Sequence, residues 1–285
     1  MKVIIGKNAG FCYGVKRAVD GAYEELKKEN NNIYCLGEIV HNKNVIERLQ
    51  ENGINFIDDI SKAKGTTLIR AHGVPKEIYE QAKALNLNLK DYTCPKVLKI
   101  HEIANQYAEN GFFIILTGSK IHPENIGTIS YCGDNYCIIE DESMTENAID
   151  TFNKSGISKL LIISQTTFSL EKFKSITEKI KKMISTNIEL VIKNTICAAT
   201  KIRQLEVEEI AKQVEMMIIV GGKNSSNTKK LYDIALKNCK DSICIENEHE
   251  INIEQIKRFN KIGIMAGAST PQESINSVVK LIEKI

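Results

Sequence analysis

The sequence has no excess of one charge, no long apolar run and no linker. Lys and Arg number 38 against 36 Asp and Glu in 285 residues, a formal net charge of +2 at pH 7. Such a balance provides no bulk field for nucleic acid or for an anionic membrane surface. No apolar run approaches the roughly 18 residues that a membrane span requires. The opening MKVIIGKNAG is too short and too glycine-rich for a secretory signal. These absences lead to the expectation of a cytoplasmic protein that binds neither nucleic acid nor membrane. No low-complexity stretch marks an extra domain, so a compact monomer is expected. The remaining composition, 42% hydrophobic and 26% charged, is ordinary and suffices for two or three small cores.

What is there is a threefold internal repeat. Three of the eight cysteines share one context: AGFCYGVKRAVD around Cys12, DYTCPKVLKIHE around Cys94 and NTICAATKIRQLE around Cys197. Each follows a candidate strand (KVIIG, LNLKDY, IELVIK) and precedes a candidate helix. Val15, Ala18, Val19, Ala22 and Leu26 fit one helical face, as do Val97, Ile100, Ala104 and Tyr107. The third helix is less regular, with Ile202, Leu205, Ile210 and Val214 as its apolar positions. A second motif follows in YCLGEIVHN, IILTGSKIHPE and IIVGGKNSSN, where a strand ends in Gly37, Gly118 or Gly221. His41, His122 and Ser225 each stand four residues beyond that glycine. A third motif, TLIRAHGVP, LIISQTTFS and IGIMAGASTP, places His72, Thr166 and Ser269 in register to within about one residue.

Alternating strands and helices predict an α/β fold of mainly parallel sheets. The repeat predicts three similar lobes over 12–93, 94–196 and 197–285. The third copy lacks its closing strand, which the N-terminal segment 1–11 would supply. A pseudo-threefold arrangement around a central metal site follows. The motif residues fall at strand carboxyl ends, where such sheets bind ligands.

Three cysteines are an odd number for disulfides, and none of the three has a close cysteine partner of the structural zinc kind. Zinc with three cysteines and a histidine is one reading. A 4Fe–4S cluster with one iron left open is another. Cys35 and the pairs Cys132/Cys137 and Cys239/Cys244 read as apolar fillers rather than as a second metal site. His41, His72, His122, Thr166, Ser225, Ser226, Asn227 and Ser269 would form a hydrogen-bonding cage suited to a phosphate or diphosphate. Glu124, in HPENIG, is the carboxylate within these loops and a candidate general acid; the alternative is a glutamate favouring a helix start. His101 and His249 read as structural. Lys16, Arg17 and Arg203 read as solvated helix faces.

Taken together, GFCYGVKRA, GEIVHN, RAHGVP, TCP, HPENIGT, QTT, NTICAAT, VGGKNSSNT and AGASTP resemble the 4-hydroxy-3-methylbut-2-enyl diphosphate reductase family. The resemblance runs from Cys12 to Pro271. It implies a 4Fe–4S cluster on Cys12, Cys94 and Cys197, and a substrate hydroxyl removed as water to give isopentenyl and dimethylallyl diphosphates. It implies Glu124 as proton source with His122 and Thr166 in its network. The diphosphate would lie among His41, His72, Ser225, Ser226, Asn227 and Ser269. Electrons would come from ferredoxin, flavodoxin or a reductase system. The chain departs from the family's usual residues at Tyr92, Ser119 and Met265. Two other classes are consistent with parts of the pattern: a zinc-containing diphosphate-binding enzyme without redox chemistry, and an iron–sulfur sensor. The sensor would want a basic patch or helix-turn-helix, and neither is present.

Overall fold

The structure, a computed structural model, describes residues 1–28 and 32–284. Among the described residues, twelve strands form three four-stranded sheets, every pairing parallel. The strands are β1 Lys2–Ile5, β2 Ile33–Leu36, β3 Ile54–Ile57, β4 Thr66–Ile69, β5 Asn88–Asp91, β6 Phe113–Thr117, β7 Tyr136–Ile139, β8 Lys159–Ser164, β9 Glu189–Ile192, β10 Met216–Val220, β11 Ser242–Ile245 and β12 Lys261–Ala266. The helices are α1 Tyr13–Lys28, α2 Lys43–Glu51, α3 Lys76–Ala84, α4 Pro95–Glu109, α5 Pro123–Ile129, α6 Thr145–Lys154, α7 Leu170–Met183, α8 Ala198–Ala211, α9 Ser226–Asn238, α10 Ile253–Ile256 and α11 Gln272–Glu283.

The sheets repeat one order: β5-β4-β2-β3, β9-β8-β6-β7 and β1-β12-β10-β11. The N-terminal strand therefore occupies in the last sheet the place that β5 and β9 hold in theirs, with Lys2 opposite Lys261 and Ile5 opposite Ile264. The equivalence extends to single hydrogen bonds. Gly37, Gly118 and Gly221 each donate their N–H to an isoleucine carbonyl, of Ile57, Ile139 and Ile245, at 2.8, 2.9 and 2.8 Å. Asp59, Asp141 and Asn247 each open a short 3₁₀ turn by accepting from the N–H two residues on. Such Asx caps satisfy donors that the turn leaves free.

By its contacts the chain divides into two compact units, Met1–Val19 with Val40–Glu51 and Ala198–Ile285, and Asp20–Ile39 with Asn52–Cys197. In the second unit the central strands are continuous apolar runs, as parallel strands covered on both faces require. Alternate residues enter different cores. Phe113, Ile115, Leu160 and Ile162 pack with Phe152, Phe173 and Ile176, whereas Ile114, Leu116, Leu161 and Ile163 pack with Ile100 and Ala104. The first unit repeats the device. Met216, Ile218, Ile262 and Ile264 meet Ile275 and Val278, while Met217, Ile219 and Met265 meet Val207, Leu231 and Ala235.

Two expectations about helix faces require correction. The face of α8 that packs inward carries Thr200, Arg203, Gln204, Val207 and Ile210, and the expected apolar positions Ile202 and Leu205 lie outward. Arg203 is 5% exposed rather than solvated. Its guanidinium donates to Gly10 O at 2.7 Å and to Ala199 O at 3.0 Å, so a cation is retained inside by carbonyl acceptors. Elsewhere the periodicity holds: Val97, Ile100 and Ala104 of α4 are buried.

The departures Tyr92 and Met265 each face a glycine. The Tyr92 ring lies over Gly21 of α1, and a Cβ there would come within 2.1 Å of it. The Tyr92 hydroxyl donates to Gly21 O at 3.2 Å. A Cβ on Gly6 would lie 2.2 Å from Met265 Sδ. Both side chains are thus seated over bare backbone.

Candidate active site

The three repeat cysteines occupy one structural position. Each follows the strand that borders the third-motif strand, and each donates its N–H to the loop ending that strand: Cys12 to Ala268 O at 3.1 Å, Cys94 to Ala71 O at 3.0 Å and Cys197 to Thr166 O at 3.0 Å. This bond fixes the register of the third motif. Thr166 matches Ala71 and Ala268, one residue before His72 and Ser269. No disulfide joins any of the eight cysteines, and Cys12, Cys94 and Cys197 are all half-buried. The other five have packing surroundings. Burial pushes the Cys35, Cys132 and Cys137 thiols up to about 12 and the Cys244 thiol up to about 11, and raises that of Cys239.

In the second unit, strand β8 and helix α5 assemble a carboxylate site. Pro123 at the first position of α5 fixes the helix start, and His122 is its N-cap, with Nδ1 accepting from Glu124 N at 3.2 Å. Because Nδ1 accepts, the neutral ring carries its proton on Nε2. Glu124 is 2% exposed. Its Oε1 accepts from Thr166 N at 2.6 Å, and its Oε2 is 2.5 Å from Thr166 Oγ1. A buried carboxylate is thereby held by two bonds from the end of β8. The His72 and His122 rings meet edge to face, centroids 5.4 Å apart.

Residues absent from the sequence reading hold these loops together. Asn125 Nδ2 donates to Ser119 O at 2.8 Å and to Gln165 Oε1 at 3.1 Å. Gln165 Oε1 also accepts from Ser119 N. Ser119 enters this network through its backbone, which explains why its identity can depart from the family's. Thr195 Oγ1 accepts from Ser164 N at 2.8 Å and donates to Ser164 O, clasping the segment that leads to Cys197. Under the His72 loop, Gly73 adopts φ +74° with His101 Cε1 only 3.0 Å from where a Cβ would stand. Asn125 and Gln165 fall within HPENIGT and QTT, where an amide side chain by itself carries no signal of the network it joins.

In the first unit, Ser225 is the N-cap of α9, its Oγ accepting from Thr228 N, and Ser226 Oγ accepts from Lys230 Nζ at 2.7 Å. Asn227 is 3% exposed, and neither polar atom of its side chain has a hydrogen-bond partner in the described chain. Ser269 Oγ donates to His41 O at 3.0 Å. The cap of α2 is Asn42, whose Oδ1 accepts from Val45 N, so His41 stands one residue outside the helix.

A threefold-repeated α/β chain of parallel sheets, with one cysteine per repeat and a buried acid braced by a hydroxyl, defines a class of enzymes that place their chemistry at strand ends. The chain belongs to the LytB protein family, whose profile matches residues 3–283. The 4-hydroxy-3-methylbut-2-enyl diphosphate reductase of Clostridioides difficile (strain 630) is 39% identical over 290 residues, covering 100% of both chains. That of Thermoanaerobacter sp. (strain X514) is 39% identical over 288 residues, covering 99% of this chain and 96% of its own. A solved (E)-4-hydroxy-3-methyl-but-2-enyl diphosphate reductase, the terminal enzyme of the non-mevalonate pathway, is 37% identical with a TM-score of 0.72 over 100% of each chain. The Plasmodium falciparum E-1-hydroxy-2-methyl-but-2-enyl-4-diphosphate reductase is 31% identical, with a TM-score of 0.89 over 98% of this chain and 87% of that one. No helix among the described residues is long and apolar enough to cross a membrane.

Proposed function

We propose that the chain reduces 4-hydroxy-3-methylbut-2-enyl diphosphate to isopentenyl and dimethylallyl diphosphates. One C–O bond breaks, two electrons and two protons are consumed, and the hydroxyl leaves as water. The observation that carries this reading is the pairing of Glu124 with Thr166. Oε1 accepts from the Thr166 amide and Oε2 accepts from Thr166 Oγ1; when the Glu124 carboxyl takes up a proton, Oε2 carries it and the Thr166 hydroxyl turns to accept it. That hydroxyl can pass it on to a leaving oxygen, which is general-acid catalysis from a buried site.

The donor set fits a cluster. Cys12, Cys94 and Cys197 share one repeated backbone setting at the strand ends, which the other five cysteines do not have. When bound there, a 4Fe–4S cluster with one iron lacking a protein ligand supplies electrons and a Lewis acid for the hydroxyl. The chain's own residues do the rest. Ser225, Ser226, Asn227, Ser269, His41 and His72 bind the diphosphate, so that remote binding energy orients the reacting end. His122 offers Nε2–H beside Glu124. Electrons arrive from a ferredoxin or flavodoxin, in the cytoplasm, and the chain works as a monomer.

Anaerobic purification with iron, sulfide and zinc analysis tests the reading, followed by turnover with a reduced dye. About four irons and four sulfides per chain, with turnover, support it. Zinc without iron and no turnover would overturn it in favour of a non-redox diphosphate-binding enzyme. Cys197→Ser loses iron on this reading, whereas Cys132→Ser retains it.

A further inference from the structure

The three repeat cysteines share a backbone setting, but the residue three places before each of them does not repeat in charge. It is Ala9 before Cys12, Asp91 before Cys94 and Asn194 before Cys197. In the second unit both polar side chains close the same turn. Asp91 Oδ1 accepts from Thr93 N at 2.8 Å, and Asn194 Oδ1 accepts from Ile196 N at 3.2 Å, each N–H belonging to the residue just before the cysteine. One device is thus built once with an acid and once with a neutral amide. We infer that Asp91 is a positioning residue for Cys94 whose carboxylate lowers the reduction potential of the centre that Cys94 helps to hold; the inference rests on the cluster reading above.

The turn does not require an acid, since Asn194 closes it with an amide. What Asp91 adds is a charge in a fixed and partly screened place. It ends strand β5, is half-buried, and its Oδ2 accepts from the Tyr79 hydroxyl at 2.9 Å. Its field is felt inside the fold. Burial does most to raise the Tyr131 hydroxyl and to lower His101, and the next cause in each is the Asp91 charge, which acts upward on both. Lys90 points to the opposite face of β5, and Lys96, two residues beyond Cys94, is exposed and better screened than Asp91. A carboxylate so placed opposes the arrival of an electron at the centre, and nearby charge and burial are among the factors that set iron–sulfur potentials. A role in backbone shape alone would be served equally by asparagine.

The experiment is an anaerobic redox titration of the cluster-loaded chain, with iron and sulfide counted first, on wild type, Asp91→Asn and Asp91→Glu. Asparagine keeps the turn, as Asn194 does, and the Tyr79 hydroxyl can accept from its amide. Asp91→Asn with iron and sulfide as in wild type and a midpoint potential shifted positive is the expected result. Asp91→Glu restores the charge and should return the potential toward wild type. Asn194→Asp adds a carboxylate at the matching place and should shift the potential negative, by less because that position is exposed. A purely structural Asp91 would leave the potential of Asp91→Asn at the wild-type value, and that result overturns the inference; so does a negative shift. Where Asp91→Asn does not load, Asn194→Asp decides, a negative shift supporting the inference and an unchanged potential overturning it. A wild type that takes up no iron overturns the reductase reading itself, and this inference with it.

Discussion

Glu124 and Thr166, 42 residues apart in sequence, share two hydrogen bonds at 2.6 and 2.5 Å, one from the Thr166 amide and one through its hydroxyl. The first fixes the carboxyl plane and the second sets a hydroxyl against its other oxygen. Glu124→Gln keeps the shape and removes the acid. We expect its turnover to fall by about 10²–10⁴, the usual share of general acid catalysis, with cluster content unchanged. Steady-state rates beside iron analysis check this, and wild-type turnover would refute the acid role. Thr166→Ser keeps the hydroxyl and should retain most activity. Thr166→Val keeps only the amide bond and should resemble Glu124→Gln in direction.

His101 provides a pH-dependent test of stability. It is 3% exposed, stacked on Tyr131 at 4.4 Å, and neither ring nitrogen has a partner in the described chain. Burial lowers its pKa to about 4 from the usual 6.5, against a smaller upward pull from Asp91. The folded state therefore binds fewer protons than the unfolded state between about pH 6.5 and 4. Its contribution is fully present above pH 6.5 and is lost as pH falls to 4, about 3 kcal/mol in all. His101→Phe preserves the stack without the titration. Denaturant unfolding at pH 7 and pH 4.5 should show the variant gaining relative to wild type at the lower pH. An unchanged difference would place the histidine's titration elsewhere.

The sequence exposes the repeat because equivalent positions need equivalent chemistry. Glycines at φ +69°, +156° and +152° in Gly37, Gly118 and Gly221 end the second-motif strands, and few other residues accept such backbone. Cysteine and histidine at matched offsets are chemically rare enough to be read directly. Arg203 escaped because a charged residue on a helix is normally solvated, and only its acceptors, Gly10 O and Ala199 O, reverse that. Those acceptors lie in tertiary structure. The one-residue ambiguity at His72, Thr166 and Ser269 likewise resolves only through the cysteine N–H bonds. Gln165 and Asn125 were invisible as a pair because an amide network is defined by geometry, not by residue type.

Tyr92 and Gly21 should be coupled. Alanine in mid-helix normally gains about 1 kcal/mol over glycine. At position 21 a Cβ would meet the Tyr92 ring at 2.1 Å. Gly21→Ala alone should therefore destabilise by about 1–3 kcal/mol through overpacking. In a Tyr92→Ala background the same change should stabilise by about 1 kcal/mol. A double-mutant cycle on unfolding free energies reads the coupling, and additivity within about 0.5 kcal/mol would mean that ring and helix do not constrain each other.

Asn227 separates binding from stability. A buried amide with unpartnered oxygen and nitrogen is costly to the folded chain, and a ligand that engages it recovers that cost. Asn227→Ala removes both atoms at once. The folded state should lose little, within about 1 kcal/mol, because the small cavity is offset by relief of the unsatisfied groups. Substrate binding should suffer, with KM raised about tenfold for one lost hydrogen bond to a charged ligand and kcat changed less. Asn227→Asp keeps the size but sets a carboxylate against a diphosphate, and its KM should rise further. Thermal unfolding and steady-state kinetics on the three proteins check both halves. A marked loss of stability with an unchanged KM would show that Asn227 serves the packing of α9 and not the diphosphate.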